Sequence, residues 1–99
     1  MSASEPMDDQ NITRVLDIVN KKGLHARASA KFVQTVEKFD ADVKVTRNGE
    51  TVGGGSIMGL MMLAAAVGTT ISVNASGREA AAVMAALDSL VSNRFGEEE

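Results

Sequence analysis

The 99-residue sequence predicts an α/β (α+β) fold of element order β-α-β-β-α-β-α, with a four-stranded antiparallel sheet covered on one face by helices. Three observations lead there. Short segments rich in β-branched or alternating apolar residues recur along the chain, separated by glycine, asparagine and serine. Two longer segments place apolar residues at three- and four-residue steps. Between two of the strand-like segments lies Asn48-Gly49, a hairpin signal because both positions tolerate positive φ.

Each element has its own justification. Residues 1–10 are polar and acidic and include Pro6, so they read as a disordered N-terminal tail. Ile12 to Val19 is β-branched and reads as the first strand, with Leu16 and Ile18 facing the core. Asn20 to Gly23 forms a turn. A helix follows from about Ala26 to Lys38, with Phe32, Val33, Val36 and Phe39 on one stripe. Asp42 to Arg47 alternates cleanly, and Glu50 to Val52 pairs back across the hairpin. Gly53-Gly54-Gly55 stops that strand and reads as a flexible lead-in to the next element. It lacks the lysine and the spacing of a nucleotide-binding loop.

Ser56 is a good N-cap for a short helix from Ile57 to about Leu63. That helix is apolar nearly all round, so part of it must stay exposed. Leu60 and Leu63 are assigned to the core. Thr69 to Ala75 alternates again as a fourth strand. Ser76-Gly77-Arg78-Glu79 has capping-box spacing, and the last helix carries Ala80, Val83, Leu87, Leu90 and Val91 on one stripe. The domain thus spans residues 11–96, and residues 97–99 form an acidic C-terminal tail.

Composition narrows the function classes. The chain has no cysteine and one histidine, which argues against a disulfide framework and against a metal site. No apolar run is long enough to span a bilayer, and the N-terminus lacks the pattern of a signal peptide, so a cytoplasmic protein is expected. Three phenylalanines are the only aromatic residues and there is no long basic stripe, which speaks against nucleic acid as a partner. The net charge of −3 hides a division along the chain. Residues 11–96 hold seven acids against all ten bases, and Lys21, Lys22, Arg27 and Lys31 flank the single histidine, His25. That excess suits an anion or an acidic partner face.

His25 stands at or just before a helix N-terminus, where unpaired N–H groups and the helix dipole favour an anion. A histidine there can carry a phosphoryl group: the ring supplies the nucleophile and Ala26 and Arg27 open the anchoring helix end. Position alone also fits a plain surface histidine in a loop.

The motifs favour the first reading. Gly23-Leu24-His25-Ala26-Arg27 resembles the active-site signature of the histidine-containing phosphocarrier (HPr) family of the bacterial phosphoenolpyruvate-dependent phosphotransferase system. Ser56-Ile57-Met58-Gly59 resembles that family's regulatory serine site. The similarity covers Ile12 to Phe95, and two motifs in one small domain are more specific than either alone. One departure is Ala28, which takes the place of a usual proline; proline in a first helical turn pre-organises without being chemically essential.

The resemblance implies an open-faced sandwich and supplies the strand neighbours. It also implies that Nδ1 of His25 accepts phosphate from phosphorylated enzyme I and passes it to an EIIA-type domain. Arg27 would contact phosphoryl oxygens in the transition state. Such a protein is a phosphoryl carrier and not a turnover enzyme, it needs no cofactor, and it is expected to work as a monomer. Ser56 would be phosphorylated by a serine kinase and released by a phosphorylase, and Ile57, Met58 and Met61 would form the docking face. The alternatives are a regulatory binding module that acts through Ser56 without relaying phosphate, and an unrelated small ligand-binding domain.

Overall fold

The computed structural model describes residues 10–97. The elements are β1 (Gln10–Asp17), α1 (Ala26–Val36), β2 (Asp42–Arg47), β3 (Glu50–Gly53), α2 (Ile57–Met62), β4 (Thr70–Gly77) and α3 (Ala80–Ser92), followed by a 3-10 turn over Arg94–Gly96. The strands form one antiparallel sheet in the order β1-β4-β2-β3. The expected fold class is therefore the observed one.

Alternation decides which face is covered. Leu16 lies opposite Ile71 and Val45 opposite Val73, all four of them buried. These side chains meet Phe32, Val33 and Val36 of α1 and Val83, Met84, Leu87 and Val91 of α3 in one core. The other face stays open and polar. Asn74 Nδ2 donates there to Asn11 Oδ1 at 2.7 Å and to Thr13 Oγ1 at 2.8 Å, and the hydroxyls of Thr46 and Thr51 meet at 2.8 Å. At the hairpin, Asn48 has φ 52° and Gly49 φ 80°, the pair of left-handed residues that the dipeptide foretells.

Several boundaries differ from expectation. Gln10 is not the end of a tail: it pairs with Gly77 as the first residue of β1, and residues 1–9 lie outside the described part. Strand β1 ends at Asp17, and Ile18 is tied on by single hydrogen bonds to Thr69 O and from Gly68 N, both 2.9 Å. Helix α1 ends at Val36, because the next turn tightens into bonds from Lys38 N to Thr35 O and from Phe39 N to Val36 O.

Ser76 does not cap α3. It lies inside β4, and Glu79 at the N-cap makes no side-chain capping bond. Gln10 Oε1 accepts from Ala81 N at 3.0 Å instead, so the cap comes from β1. Glu79 ties the start of α3 to the end of the α1–β2 connection, its Oε1 accepting from Asp40 N at 2.7 Å.

The triple glycine also has a different reason. A Cβ on Gly54 would lie 2.7 Å from Val43 Cγ1, and Gly54 N donates to Val43 O at 2.7 Å. Close approach to β2 requires glycine there, and none of Gly53, Gly54 and Gly55 has positive φ.

Candidate functional site

His25 is the N-cap of α1, with extended backbone (φ −77°, ψ −177°), and its Nδ1 accepts from Arg27 N at 3.2 Å. The ring does what a serine or aspartate oxygen does at other helix starts. Ala26 and Arg27 are exposed beside it, while Ala28 and Ser29 are buried and hold the first turn against the core. No acidic residue stands in that first turn to compete with an incoming anion.

The loop before His25 is pinned from two sides. Gly23 has φ +65°, and a Cβ there would collide with the carbonyl oxygen of Ala65. Leu24 is buried and donates its N–H to Ala65 O at 3.0 Å, and Leu24 O accepts from Ser29 Oγ at 3.2 Å. The segment just after α2 therefore forms one wall of the His25 loop.

The chain's end forms the other wall. Arg94, Phe95 and Gly96 all take left-handed backbone (φ 57°, 55° and 73°), which reverses the chain after α3. Phe95 enters the core, and its carbonyl accepts from Lys31 Nζ at 2.6 Å. The turn delivers Glu97 to the site: one carboxylate oxygen meets His25 Nε2, and the other accepts from Asn20 Nδ2 at 3.1 Å. The expectation of an acidic tail over 97–99 is thus corrected at Glu97, whose side chain is only 12% exposed. Residues 98 and 99 lie outside the described part.

Asn20 is wholly buried and spends its Nδ2 hydrogens on Gly23 O (2.8 Å) and on Glu97. Both partners are acceptors, which fixes the orientation of the amide. Its Oδ1 has no partner among the described residues.

Burial pushes the Glu97 carboxyl towards its protonated form. The hydrogen bonds from His25 and Asn20, with the positive charges of His25 and Lys22, outweigh that and hold its pKa below the usual carboxylate value. The basic cluster around His25 is accordingly not a pure positive field. It includes this carboxylate, and Lys31 is committed to the C-terminal turn.

Ser56 is the N-cap of α2, its hydroxyl accepting from Gly59 N at 2.9 Å. Leu60 and Leu63 are buried as expected. Ile57, Met58 and Met61 are exposed on this helix, and so is Met62, which was not singled out. Sequence reasoning also missed Asn20 and Glu97. A signal for Glu97 exists in Phe95-Gly96, an apolar anchor followed by a residue suited to reversal. Among the described residues no cluster of histidine, aspartate and glutamate could hold a metal ion, and no helix is long and apolar enough to cross a membrane.

Known proteins resemble this chain in sequence and in fold. Residues 12–93 match the family model described as "PTS HPr component phosphorylation site". A phosphocarrier protein HPr of Neisseria meningitidis is 54% identical over 84 residues, which is 85% of this chain and 94% of that protein. One from Cupriavidus necator is 49% identical over 88 residues, 89% and 99% of the two chains. Among solved structures, an HPr of Thermoanaerobacter tengcongensis is similar with a TM-score of 0.82 at 38% identity, covering 91% of this chain and 99% of the other.

Proposed function

The chain belongs to the HPr family of the phosphotransferase system, and on that premise we propose that His25 carries the phosphoryl group, taking it from phosphorylated enzyme I and giving it to an EIIA-type acceptor. Members of the family are phosphocarriers and not turnover enzymes. The observation that carries the reading is Nδ1 of His25, which faces the Arg27 N–H at the start of α1. A neutral imidazole has a reference pKa of roughly 6.5, so it is a usable nucleophile near neutral pH.

When Nδ1 bonds phosphorus, the phosphoryl oxygens take over the helix-end donors that the ring lone pair had engaged. Arg27, exposed beside them, adds a planar fork of N–H groups as charge spreads over those oxygens. No base is required, because the attacking nitrogen carries no proton to lose. The transfer rests on position and fixed donors.

The docking face is Ile57, Met58 and Met61, widened by Met62. Exposed methionines adapt to more than one partner, and the wall that Ala65 makes for the His25 loop links α2 to the site. Ser56 is the regulatory position, where a kinase would add about −1.5 to −2 charges to that face. The protein works as a monomer in the cytoplasm.

The test is incubation with enzyme I and phosphoenolpyruvate. The wild-type protein should gain an acid-labile, base-stable phosphate, and His25→Ala should gain none while keeping a folded spectrum. Full labelling of the mutant would overturn the assignment.

A further inference from the structure

We propose that Met58, Met61 and Met62 are a reversible modification site: a peroxide converts their thioethers to sulfoxides, the docking face turns polar, and encounter with enzyme I weakens until a thiol-dependent reductase restores the sulfur. The inference rests on the reading of α2 as the docking face.

The argument begins with spacing. The three methionines stand at i, i+3 and i+4, so their side chains share one side of α2 as a continuous sulfur-bearing stripe. Met58 is 69% exposed and Met62 70%, more than any other large hydrophobic residue described, and Met61 is 39% exposed. Met84, on α3, is buried in the core. An oxidant in solution therefore reaches the three sulfurs of α2 and is kept from that of Met84.

The helix can change its surface chemistry without losing its place. Leu60 and Leu63 anchor it in the core, Ser56 Oγ accepts from Gly59 N at 2.9 Å, and Arg47 Nη1 donates to Leu63 O at 3.1 Å. None of these supports passes through a methionine sulfur. Ile57–Met62 holds no charged residue, so apolar contact is what these side chains offer a partner. A sulfoxide oxygen on that stripe has to be desolvated on docking, which opposes the contact. His25 and Arg27 lie on α1, outside the stripe, so the defect falls on encounter and not on the transfer step.

The step balances with hydrogen peroxide as the oxidant. The sulfur lone pair bonds one peroxide oxygen as the O–O bond breaks. The second oxygen leaves with both protons as water, so sulfur loses two electrons and the peroxide gains them. In the return step two thiols become a disulfide, and the sulfoxide oxygen leaves as water.

Peroxide treatment of the full-length protein, followed by peptide mass mapping and transfer assays, tests the proposal. Sulfoxide should form at Met58 and Met62 first and at Met61 next, with Met84 spared and the folded spectrum kept. The concentration giving half-maximal transfer from phosphorylated enzyme I should rise about tenfold, the order expected when apolar anchors at an interface are lost, with the maximal rate unchanged. Methionine sulfoxide reductases for both epimers, with a dithiol, should reverse the shift. A triple variant, Met58→Leu with Met61→Leu and Met62→Leu, should have the same half-maximal concentration before and after peroxide. An equal shift in that variant would place the cause at Met1 or Met7 and overturn the proposal. Oxidation of Met84 ahead of the α2 residues, or a fall in maximal rate alone, would overturn it too. A double variant, Met58→Gln with Met62→Gln, separates the two readings. If it transfers like wild type, the docking reading falls and takes the proposal with it. If it is weakened while wild type carrying the mapped sulfoxides transfers normally, the docking reading stands and the modification site falls.

Discussion

At the residue scale, a motif of fixed spacing singles out His25 and Arg27 in the sequence. Nothing singles out Glu97, since three consecutive glutamates at a chain end look like a solvated tail. What distinguishes it is tertiary: Phe95 anchors the turn, and Asn20 and His25 supply donors. Arg27 is exposed and offers a planar fork where lysine would offer a point charge. Arg27→Lys should therefore slow both acceptance and donation while leaving stability within about 0.5 kcal/mol, as surface substitutions usually do. Rapid-quench rates equal to wild type in both directions would remove Arg27 from the transition state.

A second prediction at this scale concerns pH. Glu97 has its pKa lowered in the folded protein, so the stability it contributes is fully present above the unfolded carboxyl value of about 4.3 and is lost as pH falls through the lower folded value. A carboxyl-carbon NMR titration should place its midpoint below the unfolded carboxyl value of about 4.3. Loosening of the C-terminal turn should follow the same midpoint. A Glu97 midpoint at or above that unfolded value would mean that burial outweighs the hydrogen bonds.

At the scale of elements, sequence pattern placed all four strands and the three α-helices, and the errors lie at their ends and caps. Ser56 was read as a cap and is one, because its partner is three residues away. Ser76 was read as a cap and is not, because β4 claims it and Gln10 supplies the acceptor from 71 residues away. Local spacing cannot reveal a donor–acceptor pair brought together by the sheet. For α2 this gives a clean separation of cap from charge. Ser56→Ala should cost about 0.5–2 kcal/mol in urea denaturation with near-normal phosphotransfer. Ser56→Asp can still accept from Gly59 N, so its stability should hold, while its added charge weakens encounter with enzyme I. That defect should appear in the concentration dependence and shrink at moderate salt. Equal transfer defects in the two variants would leave Ser56 as a structural cap only.

At the scale of the whole molecule, the sheet's covered face was readable from alternation, but the order β1-β4-β2-β3 was not, since period two says nothing about neighbours. The same limit hid how the C-terminus closes the fold. Phe95 is almost fully buried, yet it stands beyond α3 in a segment without helical spacing, so no stripe pointed to it. It joins stability to the site: its ring fills the core, its carbonyl binds Lys31, and its backbone aims Glu97 at His25. Phe95→Ala should cost about 3–5 kcal/mol in urea unfolding, a large share of the about 5–15 kcal/mol that a domain possesses. Well below the melting temperature the sheet should persist, but the turn should lose its anchor and release Glu97. Acceptance of phosphate by Phe95→Ala should then fall to the level of Glu97→Ala, and the double variant should transfer no more slowly than either single one, because both changes remove the same contact. Phe95→Leu, which keeps most of the buried volume, should preserve transfer. If Phe95→Ala loses stability as expected but transfers phosphate at the wild-type rate, the C-terminal turn only plugs the core and does not aim the carboxylate.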